Sequence, residues 1–133
     1  MATPYAIVEI ESVESTQDEA RRRAASISPV LVVARRQSAG RGRLGRGWVE
    51  PDRAVFSSVA FTPEWPVSTW PRLPLVAGLA VRDAIVDTCG ISVDLRWPND
   101  LVIDSLKVGG ILSEAADGRI VIGCGINLVW DTP

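Results

Sequence analysis

The residues best suited to chemistry lie in Gly40–Trp48, which reads Gly-Arg-Gly-Arg-Leu-Gly-Arg-Gly-Trp. Four glycines and three arginines share these nine positions. Arg35, Arg36 and Gln37 come just before, so five arginines and no acid lie between Arg35 and Arg46. The chain as a whole has a formal net charge of −2, so positive charge is concentrated in this stretch. Glycine destabilises helix and strand interiors, but it frees backbone N–H groups to converge on an anion. Arginine adds a planar fork that matches carboxylate or phosphate. The segment reads either as a loop that wraps an anionic ligand or as a surface loop that is merely basic.

Gly40, Gly42 and Gly45 satisfy the spacing G-x-G-x-x-G. A dinucleotide fingerprint should open an apolar helix directly afterwards. Here Gly47, Trp48, Val49, Glu50, Pro51 and Asp52 follow, which is turn chemistry. A Rossmann site is therefore rejected, and no Gly-Lys-Ser/Thr is present to make a Walker loop. The chain has no histidine. That removes Ser-His and Cys-His nucleophile pairs and the commonest general acid–base. Cys89 and Cys124 form no CxxC and read as small core hydrophobes, so no metal site is expected. Chemistry must then run on electrostatics and positioning, with nucleophiles that the substrates bring.

The elements that position these residues can be read in outline. A chain of 133 residues, 47% apolar and 23% charged, has the length and balance of one soluble domain. It has no apolar run of 18 residues and no basic leader before Glu9 and Glu11, so a cytoplasmic location is expected. Tyr5 to Ile10 alternates as a strand with Ala6, Val8 and Ile10 on one face. Ser15 with Asp18, or Thr16 with Glu19, begins a helix that should run to about Ala25. Ser15 and Thr16 either cap that helix or also face a ligand. Val30 to Ala34 is a buried strand that delivers Gln37 and the basic loop. Ala54 to Phe61 is another strand, followed by a proline-rich loop to Pro74.

Leu75 to Thr88 reads as a core helix with Leu75, Val76, Leu79, Ala80, Ala84 and Val86 on its apolar face and Gly90 as its terminator. Val93 to Trp97 is a strand ending at Pro98. Asn99 and Asp100 then sit at a rigid bend, either as an Asx-type turn or as site residues. Leu101 to Ile103 turns at Asp104-Ser105 into Lys107 to Ala116. There Gly109 and Gly110 suggest a close approach by a ligand or by backbone. Asp117-Gly118 is a hairpin turn into Arg119 to Leu128. This order of elements implies an α+β fold with a mixed, largely antiparallel sheet and flanking helices.

Five segments together resemble the biotin protein ligases, which attach biotin to carboxylase carrier domains. They are Glu14-Ser15-Thr16, Gln37 to Arg43, Trp97-Pro98-Asn99-Asp100, Lys107 to Leu112 and Gly123 to Asn127. The resemblance spans nearly the whole chain. It implies a fold related to the catalytic domains of class II aminoacyl-tRNA synthetases. It also implies ATP and Mg²⁺ as co-substrate and ion, with biotin as substrate. In this family the biotin carboxylate attacks the α-phosphate of ATP, and a carrier lysine then takes biotin from the adenylate. Ser15, Thr16, Gln17, Gln37 and Gly110 resemble contacts to biotin. Arg41, Gly42 and Arg43 resemble the loop that closes over biotin and the adenylate. Arg46, Trp48, Asn99 and Asn127 fall towards the nucleotide. Lys107 matches the lysine that reaches the biotin carboxylate and the α-phosphate, and Asp100 would position the incoming lysine. Lys107, Arg41 and Arg43 would stabilise charge at phosphorus.

Family members often carry Asn where this chain has Gln17. No helix-turn-helix region precedes the motifs, so no DNA partner is expected. The chain ends at Pro133, shortly after Gly-Ile-Asn, where family members continue with more of the catalytic domain and a small β-domain. Residues 1–133 therefore read as the N-terminal and central part of a biotin ligase catalytic domain. Exposed apolar surface and self-association are expected of it. The rival readings are a lipoate ligase or transferase of the same superfamily and a non-catalytic remnant that still binds biotin. A nucleic-acid module fits poorly, since the total charge is acidic and no aromatics interleave the arginines.

Overall fold

The computed structural model describes residues 5–47 and 53–129. Its strands are β1 (Ala6–Val13), β2 (Val30–Gln37), β3 (Arg53–Phe61), β4 (Asp94–Arg96), β5 (Asp100–Ile103), β6 (Leu106–Ala116) and β7 (Arg119–Val129). Its helices are α1 (Thr16–Arg23) and α2 (Leu73–Cys89). The seven strands form one sheet in the order β1-β2-β3-β7-β6-β5-β4. Only the β1–β2 pair is parallel, and α1 supplies its crossover. The remaining pairs are antiparallel. The mixed α+β architecture expected from the sequence is the one found.

Alternation decides which face of the sheet is covered. Ala54, Phe56, Ser58 and Ala60 of β3 are buried. Their β7 partners are Asn127, Gly125, Gly123 and Val121, and Gly110, Leu112 and Glu114 follow on β6. Helix α1 lies on this face. Its buried residues Thr16, Gln17 and Ala20, with Ala24 just beyond its end, recur at helical spacing. Small residues let it sit close: Ala20, Ala24, Val30, Val32, Ala60 and Val121 form the core cluster beneath it. Its outer side carries Asp18–Arg21, Glu19–Arg22 and Glu19–Arg23 pairs.

The turns follow their chemistry. Asp104 and Ser105 take positive φ of 50° and 67°, and Asp117 and Gly118 take 55° and 73°, the signature of tight two-residue hairpins. Gly90 ends α2 in the left-handed region at φ 68°. A Cβ on Gly109 would stand 2.6 Å from the Gly125 carbonyl oxygen. Backbone is therefore what approaches this glycine. The proline-rich segment is largely exposed and contains a 3-10 turn at Val67–Arg72. Within it Trp70 Nε1 donates to the Trp65 carbonyl at 3.2 Å, and the exposed Trp65 meets Phe61 edge-on.

Two expectations need correction. Helix α2 is not a core element, because Gly78 is its one buried residue. Of the residues that read as its apolar face, Val76, Leu79, Ala80, Ala84 and Val86 are exposed and Leu75 is half-buried. The helix instead packs through Gly78 onto Leu95, on the narrow β4–β6 side of the sheet, where few strands are available to cover it. Cys89, expected in the core, is exposed at the end of that helix.

Candidate functional site

One cavity of about 310 Å³ gathers most of the residues singled out from the sequence. The N-terminus of α1 supplies Ser15, Thr16 and Gln17, and the end of β2 supplies Gln37. The basic loop supplies Arg41, Gly42, Arg43 and Arg46. Asn99 and Asp100 come from the β4–β5 bend, and Lys107 and Gly110 from β6. Asn127, further along β7, is not on the wall; its Oδ1 is buried with no hydrogen-bond partner among the described residues. Trp48 lies outside the described residues. Sequence reasoning missed Phe56 and Ser58 of β3, both on the wall. The signal was available: Ser57-Ser58 places hydroxyls inside an otherwise apolar strand.

At the β2–β3 end the wall is neutral and polar. Ser15 caps α1 by accepting from Asp18 N at 3.4 Å. Gln37 Oε1 accepts from Thr16 N at 2.7 Å and from Thr16 Oγ1 at 3.0 Å. The Thr16 hydroxyl is thereby used as a donor, so the Ser58 hydroxyl donates to it at 2.8 Å. With its oxygen tied to the helix start, Gln37 keeps its Nε2 donors for the cavity it lines. Gln17 reaches across the sheet, its Nε2 donating to Glu114 Oε1 at 3.1 Å and to the Val121 and Leu112 carbonyls at 3.3 and 3.4 Å. Its Oε1 is buried and unpartnered against Gly123.

At the β5–β6 end the wall is cationic. Lys107 Nζ lies 3.1 Å from Asp100 Oδ1, and Arg96 holds the other carboxylate oxygen at 3.1 Å. Burial acts to raise the Asp100 pKa, but hydrogen bonds from Arg96 and Lys107 outweigh it and leave the carboxyl below its ordinary range. Asp100 is therefore an ionised anchor that holds Lys107 at the rim. Arg43 and Arg46 line the mouth from the loop and are exposed. The floor between the two ends is Gly123 and Gly125 of β7 and Gly110 of β6. β3 and β6 are two strand spacings apart, roughly 10 Å.

The basic loop folds back on itself. Gly42 N donates to the Arg46 carbonyl at 2.6 Å, Arg41 bridges Gly47, and Leu44 and Gly45 turn the chain at φ 60° and 71°. Arg41 is turned away from solvent into a cage of acceptors. It donates to Asp18 at 2.9 and 3.1 Å, to Glu114 at 2.9 and 3.4 Å and to Ser15 Oγ at 3.3 Å. The hydrogen bonds to Asp18, and then to Glu114, raise its pKa despite partial burial, so the guanidinium stays charged.

Asn99 is both a wall residue and a lock. Its Nδ2 donates to the Ile111 carbonyl at 3.0 Å, and its own carbonyl accepts from Ile111 N at 2.8 Å. Asn99→Ala is expected to cost about 1 kcal/mol, and Asn99→Asp more, because a carboxylate cannot donate to a carbonyl. Thermal melts of the two variants read this as a graded fall in Tm. Cys124 also lines the cavity, but burial pushes its thiol up to about 12. It offers no thiolate nucleophile at neutral pH. Among the described residues, no group of three or more His, Cys, Asp or Glu could hold a metal ion.

Fold and cavity together define an α+β domain with one cavity whose wall is neutral and polar at one end and cationic at the other. Residues 9–128 match the biotin/lipoate A/B protein ligase family, and the chain belongs to that family. It is 40% identical over 122 residues to the bifunctional ligase/repressor BirA of Bacillus subtilis, covering 86% of this chain and 38% of that protein. It is 39% identical to the biotin–[acetyl-CoA-carboxylase] ligase of Mycobacterium tuberculosis, covering 86% of this chain and 46% of that one. Among solved structures, the Aquifex aeolicus biotin protein ligase in complex with biotin and ATP superposes with a TM-score of 0.83 at 33% identity. That match covers 96% of this chain and 54% of the other. The Leishmania major enzyme in complex with biotinyl-5-AMP also gives 0.83, at 32% identity, covering 96% of this chain and 59% of that one. The chain thus spans less than half the length of these two curated relatives.

Proposed function

We propose that this chain carries the biotin-activating site of an ATP-dependent biotin–protein ligase. One observation carries the reading: the cavity is divided into a hydroxyl and amide end at Thr16, Gln37 and Ser58 and a cationic end at Lys107, Arg43 and Arg46. A ureido ring offers a carbonyl and two N–H groups, which suits the first end. A carboxylate and a phosphate suit the second, and the glycine floor lets the connecting chain lie close to the sheet. The names of the relatives, and the biotin and ATP bound in the Aquifex aeolicus enzyme, support the same assignment.

In this reading the biotin carboxylate oxygen attacks the α-phosphorus of ATP, and pyrophosphate leaves. The amine of a carrier lysine then attacks the acyl carbon, AMP leaves and an amide remains. Both nucleophiles belong to substrates, which agrees with the absence of histidine and the un-ionised Cys124 thiol. The chain's own part is orientation and charge. Ser15, Thr16, Gln17, Gln37, Gly42 and Gly110 hold the head group. Lys107 spans carboxylate and phosphate, with Arg43 and Arg46 at the phosphates and Asn99 and Asn127 towards the nucleotide. Asp100 orients Lys107 and would position the incoming amine. Mg²⁺ would travel on the ATP phosphates, which commonly hold it with few protein ligands. The resemblance also gives Arg41 a share of the charge at phosphorus; its side chain is already committed to two acids. A carboxylase carrier domain is the proposed acceptor, and the apolar residues exposed on α2 support self-association.

The test is pyrophosphate release with ATP, Mg²⁺ and biotin, followed by transfer to a carrier domain. Release that requires biotin, with lipoate inert in its place, is the expected result. Biotin binding without release would make these residues a binding unit only.

A further inference from the structure

We infer that Asp18 and Glu114 are positioning residues: they seize Arg41 and so fasten the arginine–glycine hairpin over the cavity. A guanidinium has five N–H groups, and Arg41 makes five hydrogen bonds, all to Ser15, Asp18 and Glu114. None is left over for an anionic ligand. The three partners come from α1 and β6, so Arg41 ties the loop to both walls of the site at once. The tie continues inward, since Glu114 Oε1 also accepts from the buried Gln17 amide. Arg43 and Arg46, held on the far side of that anchor, are thereby aimed at the mouth of the cavity. Lysine could not serve in place of Arg41, because a point charge lacks the fork that grips two carboxylates together. The consequence for turnover rests on the biotin-activating reading; the fastening of the loop does not.

Limited trypsin digestion without any substrate tests it, because the loop offers cleavage after Arg43 and Arg46. Cleavage after Arg119, the first residue of β7, whose bond to the buried Ile120 lies in the paired β6–β7 ladder, reports opening of the sheet in the same samples. Asp18→Asn, Glu114→Gln and Arg41→Lys should each speed cutting after Arg43 and Arg46 on the order of tenfold, with cutting after Arg119 unchanged. In the pyrophosphate assay the same variants should raise KM for biotin more than they lower kcat. Loop cleavage at the wild-type rate in Asp18→Asn and Arg41→Lys would overturn the inference, whatever the activity. Should Glu114→Gln unfold, Asp18→Asn decides alone, since its side chain is half-exposed. Faster loop cleavage together with a wild-type chain that releases no pyrophosphate would uphold the fastening and reject the catalytic reading.

Discussion

Lys107→Ala is expected to lower adenylate formation by roughly 10²- to 10³-fold, the scale set by removing one preorganised charge from a transition state. The side chain stands at the rim and is 42% exposed, so its loss leaves little cavity behind. The melt should therefore shift by only a few degrees. The variant also removes one of the two cations that hold Asp100. Arg96 remains, so the carboxylate stays ionised, and no new acid appears in the site. Single-turnover pyrophosphate release separates this from a binding defect: the chemical step should slow, while biotin binding measured by calorimetry changes far less. Wild-type turnover would remove Lys107 from the chemistry.

Gly123→Ala is expected to disable the site through the fold. A Cβ there would overlap Gln17 Oε1, with the amide carbon at 2.9 Å and Ser58 Oγ at 3.1 Å. A long side chain at the surface would swing aside. Gln17 cannot, because it is 5% exposed and its Nε2 makes three hydrogen bonds to β6 and β7. Either those bonds break or α1 lifts from the sheet, and Thr16 moves with it. Overpacking and unmet buried donors together cost about 3 kcal/mol, a fall in Tm near 10 °C for a domain of this size. Biotin affinity should drop in parallel. Truncating Gln17 in the same chain (Gly123→Ala with Gln17→Ala) should recover part of the lost stability. A full-strength melt in the single variant would show that the contact is slack.

Much of this was legible from residue order because local rules act on local residues. The Asp117-Gly118 turn, the Gly90 terminator, the Ser15 cap and the alternation in β1 and β3 each depend on a handful of neighbours. The main wall of the cavity was legible through motifs whose residue types suit anions and polar head groups. Helix α2 misled because its composition is apolar nearly all round. Only the sheet beneath it decides which stripe is covered, and that sheet is narrow where α2 lies. Asp18 read as a helix-start acid, and Glu114 lies within the strand Lys107 to Ala116 with no role assigned to it. Their meeting with Arg41 spans separations of 23 and 73 residues, and strand order alone brings the three together.

That strand order also governs when the site can come into being. Among the described strands β7 follows the other six in sequence yet sits in the middle, between β3 and β6. As the chain leaves a ribosome, two half-sheets can form early, each with a bare inner edge. Such edges are templates for mispairing until they are covered. The glycine floor exists only once β7 has slotted between them, joining β3 to a segment more than fifty residues further along. Long-range closure of this kind is slow, on the scale of milliseconds to seconds. Capture of a ligand in the cavity by a refolding chain would thus mark the moment of sheet closure.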